Sequence, residues 1–449
     1  MFLIVVPFVI LYFFSNTELL IRTPNERIVF ISIYFSKIRK TQNLLIFTPD
    51  IHDGTRDDIA MMSYYNNNSI YLSSRKCSLP HYSILRNITK RNYDEKISSV
   101  IISSPNTCKK TPVFANNNND VTTIWNLFIN DAIFRKVDAI LCMFYPANCQ
   151  GYIIFNKTVV FIPAHRFIIK RCDHHSITNL IDWMFNTPSA SVYVVAAGRY
   201  DAEYINYYTG KKVLYLYASS VFSYTPPSEY SCLHNYILFA PFNNNKGRSK
   251  EYQYTKNAFE RYGLNISLIR IRSFTKGNPY SIDLINKFKA VVLFPYAVLS
   301  YYIADIITSN IPFFVPSPKM LAEQKMLFDF QNRNRFYCGN TMYNISKHAK
   351  SKHIYSPEDN NSRAIEYWAQ YSMFYTPCSI IFESYDHLAK LVDETDYAKV
   401  YKCNLKYRDY VIKHNERIWS IISNRIERNR RISGSIKESL QYFGKQSVF

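Results

Sequence analysis

Two α/β lobes, each a parallel sheet wrapped by helices and facing the other across a cleft, are the architecture this sequence predicts. Three observations predict it. Short apolar, β-branched runs alternate with amphipathic segments along most of the chain, the pattern of parallel strands buried on both faces. The alternation breaks at residues 219–233, around Pro226-Pro227 and a cluster of Ser, and then restarts, giving two successive sets. Between 191 and 219 an apolar run stops at Gly198-Arg199, a polar helical segment ends at Gly210, and a second apolar run begins. That is a compact βαβ unit.

In chain order, Met1–Phe14 (MFLIVVPFVILYFF) is uncharged and halts at Ser15-Asn16-Thr17-Glu18. It is shorter than the roughly 20 residues of a full helical span. It therefore reads as a signal-peptide core or a short signal anchor; no small-residue cleavage pattern follows Phe14, which favours the anchor. A buried N-terminal strand is the alternative. Residues 1–40 are expected as anchor and tether, 41–225 as the first lobe, 226–400 as the second and 401–449 as a basic helical tail. In the first lobe Leu44–Phe47, Ile70–Leu72, Val100–Ser103, Ala139–Phe144, Thr158–Ile162, Val192–Ala197 and residues 213–217 read as strands. Thr122–Phe134, with Trp125, Phe128, Ile129 and Ile133 at helical spacing, and Thr178–Phe185 read as helices. In the second lobe the strands are Tyr236–Ala240, Ile266–Ile271, Ala290–Phe294 and Phe313–Val315. Its helices are Tyr252–Tyr262, Ser281–Phe288 and Val298–Ser309. A last helix, Tyr397–Arg431, carries Tyr410, Ile418, Trp419, Ile422 and Ile426 on its apolar face.

A hydrophobic content of 47% over 449 residues supplies core for both lobes and excludes wholesale disorder. The net charge of +20 accompanies scarce Gly and abundant Asn, Ile, Lys and Tyr, so it reads as compositional drift over a solvated surface. The one local excess, Arg425, Arg428, Arg430 and Arg431, has no nucleic-acid motif beside it, and no nucleic-acid partner is expected. Nine cysteines lack CxxC spacing, so no metal site is expected; an oxidising compartment lets some pair, with one left over. Cys142 and Cys149 flank Tyr145-Pro146 and are placed to bridge locally. Six Asn-x-Ser/Thr sequons, at Asn67, Asn87, Asn156, Asn265, Asn344 and Asn360, are compatible with a lumenal body.

Open α/β sheets bind ligands at their strand C-termini, and three polar clusters follow strands of the first lobe. In Phe47–Ile59 (FTPDIHDGTRDDI), Asp50, His52, Asp53, Asp57 and Asp58 crowd a Gly54 turn. Carboxylates packed beside an imidazole share protons, which poises a general base; an Asp-rich helix cap is the plainer alternative. In Phe161–Cys172, His165-Arg166 follow a strand and Pro163, pairing a proton acceptor with a planar fork for phosphate or carboxylate. The third cluster is Arg199, Tyr200, Asp201, Glu203 and Tyr204, where Tyr faces suit sugar rings and Asp201 also reads as a helix N-cap. In the second lobe Lys246, Arg248 and Lys250 sit in a loop before a helix, a diphosphate cradle or an ordinary solvated loop. Pro295, Tyr296 and Ser317 close later strands, where a base or ribose pocket forms.

The chain resembles the GT-B glycosyltransferases. More narrowly, it looks like a poorly characterised group of eukaryotic GT-B-like proteins, through His52–Arg56 (HDGTR), Pro163–Phe167 (PAHRF), Tyr200–Ile205 (YDAEYI) and Asn310–Ser317 (NIPFFVPS). The resemblance spans about residues 40 to 400. It implies two Rossmann-like lobes, a nucleotide-sugar donor held by the second and a glycan or glycoprotein acceptor presented by the first. It implies a metal-independent transferase with no cofactor; from the residues themselves, His165 or Asp53 reads as the base, with His52 as a further catalytic candidate and Arg166 and Arg199 countering phosphate charge. Asp57, Tyr200, Asp201, Glu203 and Tyr204 fall to the acceptor side. Lys246, Arg248, Lys250, Pro295, Tyr296 and Ser317 fall to the donor side. With the apolar N-terminus, it places the body in the lumen of the endoplasmic reticulum or Golgi, membrane-anchored or secreted. One departure stands out: many GT-B enzymes carry a Glu near the donor ribose, whereas Tyr296–Ser309 has Asp305 as its only acid.

Overall fold

The computed structural model describes residues 2–6, 9–14, 18–22, 28–31, 44–48, 69–72, 101–103, 126, 128–144, 152, 155, 157–163, 174–186, 192–219, 229–240, 249–275, 282–295, 302–323, 353–359 and 361–446. They belong to two compact units, Met1–Gln42 and Asn43–Phe449.

The first unit is an antiparallel meander of β1 (Phe2–Val6), β2 (Val9–Phe14), β3 (Glu18–Arg22) and β4 (Ile28–Ile31). Within the apolar run read as an anchor or, alternatively, a strand, Phe2–Val6 and Val9–Phe14 pair, with Phe2 opposite Phe13 and Val6 opposite Val9. The run is rich in Val, Ile and Phe, which fit a pleated strand better than a helix. Pro7 falls between the two strands, where a helix would lose a hydrogen bond. Among the described residues no helix is long and apolar enough to cross a membrane.

The second unit holds both lobes. The first lobe runs β5 (Leu45–Thr48), β6 (Ser69–Leu72), β7 (Ile101–Ser103), α1 (Ala132–Arg135), β8 (Ala139–Phe144), β9 (Thr158–Pro163), α2 (His174–Asn186), β10 (Val192–Ala196), α3 (Arg199–Thr209) and β11 (Leu214–Tyr215). Its seven strands lie in the order β11-β10-β9-β8-β5-β6-β7, every pair parallel. The βαβ unit forms as expected, with Val195 paired to Leu214. Gly210, at φ 69°, ends α3 in the left-handed region and donates its N–H to the Asn206 carbonyl. The helix expected over Thr122–Phe134 is instead broken by a turn at 129–130. Asp131 Oδ1 accepts from the Phe134 N–H at 2.8 Å and starts α1 afresh.

The second lobe runs β12 (His234–Ala240), α4 (Ser249–Tyr262), β13 (Ser267–Arg270), α5 (Ile271–Phe274), α6 (Ile282–Ile285), β14 (Phe288–Leu293), α7 (Tyr302–Ser309), β15 (Phe313–Pro316), α8 (Pro318–Glu323), α9 (Ser362–Ala369), β16 (Ile380–Phe382), α10 (Tyr385–Glu394) and α11 (Tyr397–Gln446). Its five strands are all parallel, in the order β13-β12-β14-β15-β16. Ile271, expected to finish a strand, opens α5, and the helix expected over Ser281–Phe288 shortens to α6 because Phe288 opens β14. Each lobe is a doubly wound, Rossmann-like sheet.

Helix α11 packs across both. Ile418, Trp419, Ile422 and Ile426 are buried with Ile46, Val160 and Val195 of the first sheet. Full burial of such a side chain contributes roughly 1.5–3 kcal/mol before entropy is set against it. Toward the second lobe, Asn404 Nδ2 donates to the carbonyls of Asn310 (3.2 Å) and Ile311 (2.9 Å). Between them Asn415 grips the chain leaving the first lobe: its Oδ1 accepts from the Tyr217 N–H and its Nδ2 donates to the Tyr217 carbonyl. A disulfide joins Cys378 to Cys403 near the start of α11. Cys142 is also disulfide-bonded, while Cys149, its expected partner, lies outside the described residues. Cys232 is free and exposed. The Arg-rich stretch turns partly inward: Arg425 lies 4.9 Å from the Tyr193 ring and Arg430 3.7 Å from Asp138.

Candidate functional site

The strand orders fix where ligands meet each sheet. In the first lobe the chain builds outward from β5 to β7 and then crosses to β8 on the other side of β5. The order reverses between β5 and β8, and at such a reversal the loops diverge and leave a crevice at the strand C-termini. In the sequence, residues 49–58 follow β5. Pro163 ends β9 level with Phe144 of β8, and its carbonyl accepts the Ala197 N–H at 3.1 Å. Gly198 and Arg199 therefore follow β10 beside the C-terminal end of β9. His52, Asp53, Asp57, His165 and Arg166 lie outside the described residues.

In the second lobe the reversal falls between β12 and β14, whose C-terminal ends are joined by the Phe294 N–H donating to the Ala240 carbonyl at 3.1 Å. Phe294-Pro295 leave β14 at this crevice. Pro295 is buried and Lys250, in the first turn of α4, is exposed. Lys246, Arg248 and Tyr296 lie outside the described residues. Ser317 is buried and engaged: its Oγ accepts from the Met320 N–H at 3.1 Å at the head of α8. Asp305 sits within α7.

The third cluster is described in full, and it divides. Tyr200, Asp201 and Tyr204, expected to face a substrate, are at most 2% exposed. They are packed away because α3 turns that face inward, so the aromatic edge proposed for a sugar is core instead. Nor does Asp201 cap the helix: the N-cap is Gly198, with no side-chain bond, and Asp201 stands in the first turn, where a carboxylate favours the positive end of the helix dipole. Arg199 and Glu203, one turn apart, keep access to solvent.

What buries the other face is a strap from the second lobe, residues 353–359 and 361–375. Asn361 caps α9 by accepting the Ala364 N–H at 2.9 Å, and Tyr367, Trp368 and Tyr371 then fall on the side toward α3. Trp368 is 1% exposed, packed against Tyr200, Tyr207 and His353, and its Nε1–H donates to the Tyr355 carbonyl. Tyr204 donates to Glu358 at 2.8 Å. The Arg199 guanidinium lies 5.0 Å from the Tyr371 ring centre. His353 links two groups: Nε2 lies 3.0 Å from Glu203 Oε2 and Nδ1 lies 2.8 Å from the Tyr367 hydroxyl. A carboxylate only accepts, so Nε2 carries a hydrogen. Burial, the neighbouring Tyr371 hydroxyl and the Glu203 charge all push the Tyr367 phenol well above its ordinary range, which keeps it protonated and able to donate to Nδ1. Tyr375 ties the strap to the second sheet by donating to the Pro316 carbonyl at 2.8 Å. The signal available in the sequence was the spacing of Tyr367, Trp368 and Tyr371 behind an Asn cap.

Glu203→Ala should cost about 1–3 kcal/mol of unfolding free energy by taking the acceptor from the buried Nε2–H of His353. Tyr367→Phe, which removes one hydroxyl and leaves the ring, should cost about 1 kcal/mol. Equal denaturant midpoints for wild type and both variants would show that the array does not form in solution.

No family model matches the chain, and no curated protein sequence is similar to it. Among solved structures, it is similar to a UDP-glucosyltransferase from Polygonum tinctorium capable of glucosylating indoxyl. The identity is 8% and the TM-score 0.41, over 86% of this chain and 98% of that one. It is also similar to a putative UDP-N-acetylglucosamine 2-epimerase from Listeria monocytogenes, at 9% identity and a TM-score of 0.37, over 79% of this chain and 98% of that one.

Proposed function

We propose that this protein is a GT-B glycosyltransferase that moves a sugar from a nucleotide-sugar donor to a glycan or protein acceptor. The observation that carries the reading is the pair of strand-order reversals; in the sequence, a segment crowded with titratable groups follows the strand at one and a basic segment follows the strand at the other. The donor diphosphate would lie at the second, met by Lys246, Arg248 and Lys250 and by the N-terminus of α4, with Pro295 and Tyr296 beside the nucleoside. At the first, His165 or Asp53, with His52 nearby, would take the proton of the acceptor hydroxyl as its oxygen attacks the anomeric carbon. As the bond to the diphosphate breaks, Arg166 and Arg199 would stabilise the charge that develops, a role basic side chains fill without a metal ion. Asp57 and Glu203 would orient the acceptor. The body is read as lumenal, in the endoplasmic reticulum or Golgi or secreted, with its apolar N-terminus directing or tethering it there. The Cys378–Cys403 disulfide supports an oxidising compartment.

One observation favours a second reading, a glycan- or partner-binding protein that kept the fold: Asp305 is the only acid between Tyr296 and Ser309. A panel of nucleoside diphosphate sugars, titrated calorimetrically against the purified protein, separates the two. Binding is expected, and Lys246→Ala with Arg248→Ala should each weaken it by about 1.5–3 kcal/mol. Binding without sugar transfer would favour the second reading. No binding to any donor, with RNA or DNA binding that falls steeply with salt, would replace both.

A further inference from the structure

We propose that Asn265 carries an N-linked glycan, and that this glycan covers the open edge of the second sheet. The proposal rests on the lumenal reading given above. Asn265-Ile266-Ser267 is a sequon whose surroundings the structure describes in full. Helix α4 ends at Gly263, whose φ of 73° lies in the left-handed region and whose N–H donates to the Glu260 carbonyl at 3.1 Å. The chain then turns outward, and Asn265 and Ser267 are both exposed. The turn is held by its backbone, since Asn235 Nδ2 donates to the Asn265 carbonyl at 2.9 Å, and this leaves the Asn265 amide facing solvent. The sequon at Asn156 is the contrast. Its Thr158 is 5% exposed in β9, with Oγ1 accepting from Asn429 Nδ2 at 3.2 Å, so folding withdraws it.

The position also explains what a glycan would do. Among the described residues strand β13 pairs with β12 alone and its Leu268 carbonyl accepts from the Tyr252 hydroxyl at 2.9 Å, so its outer edge is not paired by another described strand. Such an edge templates strand addition by another chain unless something covers it. Large hydrophobic side chains stand around the same end of the sheet: Leu233 is 68% exposed, Tyr262 45%, Phe274 39% and Tyr236, paired with Ser267, 36%. A hydrated, branched glycan rooted at the first turn before β13 reaches along that edge. It is also remote from the candidate site. Asn265 lies at the N-terminal end of the sheet, whereas the crevice opens at the C-termini, about 13 Å further along a four-residue strand.

The full chain, expressed in a eukaryotic cell and released with an amidase in heavy-oxygen water, reports occupancy as a mass-tagged Asp at each used sequon. A tag at position 265, and one lost gel-mobility step in both Asn265→Gln and Ser267→Ala, supports the proposal. The second variant keeps the Asn side chain, so a fold defect in one does not hide the answer. Tags at other sequons with position 265 bare would overturn this proposal and leave the lumenal reading standing; no tag anywhere would remove both. The covering role is read by light scattering: the Ser267→Ala protein should self-associate with rising concentration while wild type stays monodisperse. Identical behaviour of the two would overturn that role. Nucleotide-sugar binding should be unchanged in both variants.

Discussion

Replacing Trp368 by Ala should destabilise the second unit by about 3–5 kcal/mol, the range for removing a large aromatic side chain from a packed interior. Trp368 is buried where a strap from the second lobe crosses the βαβ unit of the first. Its ring meets Tyr200, Tyr207 and His353, at centroid separations of 5.5, 6.0 and 4.7 Å. An Ala there leaves a cavity whose walls come from both lobes, and neither lobe can relax into it without breaking the Glu203–His353–Tyr367 array. Total stabilities of folded domains are only about 5–15 kcal/mol, so the variant should be marginal at physiological temperature. Urea unfolding followed by Trp fluorescence and by circular dichroism measures the loss. A cost under 1 kcal/mol would mean the strap does not pack on α3 in solution. Trp368→Phe keeps an aromatic ring but drops the Nε1–H that reaches the Tyr355 carbonyl, and should recover more than half of the loss.

This seam also shows what sequence alone reveals and what it hides. The βαβ unit was legible because Gly198 and Gly210 punctuate it and its strands are continuous apolar runs, signals that are local. The two-lobe organisation followed from the break at 219–233 for the same reason. The strap was not legible, because its role comes from contacts about 150 residues away: Tyr204 with Glu358 and Glu203 with His353. Nothing local marks Tyr200 and Tyr204 as core and Arg199 and Glu203 as rim; the division depends on which face of α3 the strap covers. The strand-order reversals are a different case: only the spatial orders β8-β5-β6-β7 and β13-β12-β14 show where each sheet turns back on itself.

The largest effect on function is expected from Ala at both His165 and Arg166. In the sequence these residues come two and three positions after Pro163, whose carbonyl accepts the Ala197 N–H two residues before Arg199. With the roles of base and phosphate-facing cation proposed above, their loss should cost about 2–4 kcal/mol of transition-state stabilisation. That corresponds to a fall of roughly 30- to 900-fold in kcat/KM, at 1.36 kcal/mol per tenfold. The melting temperature should move little, the outcome expected of a pair that acts in the reaction rather than in packing. Donor affinity should hold as well under the proposed assignment of the diphosphate to Lys246, Arg248 and Lys250. Three readouts on the same variant thus divide the roles: sugar transfer, nucleotide-sugar affinity and thermal unfolding. Transfer lost with affinity and stability intact identifies the pair as catalytic. Stability lost while the folded fraction still transfers sugar identifies it as structural, and the base must then be sought at His52 or Asp53.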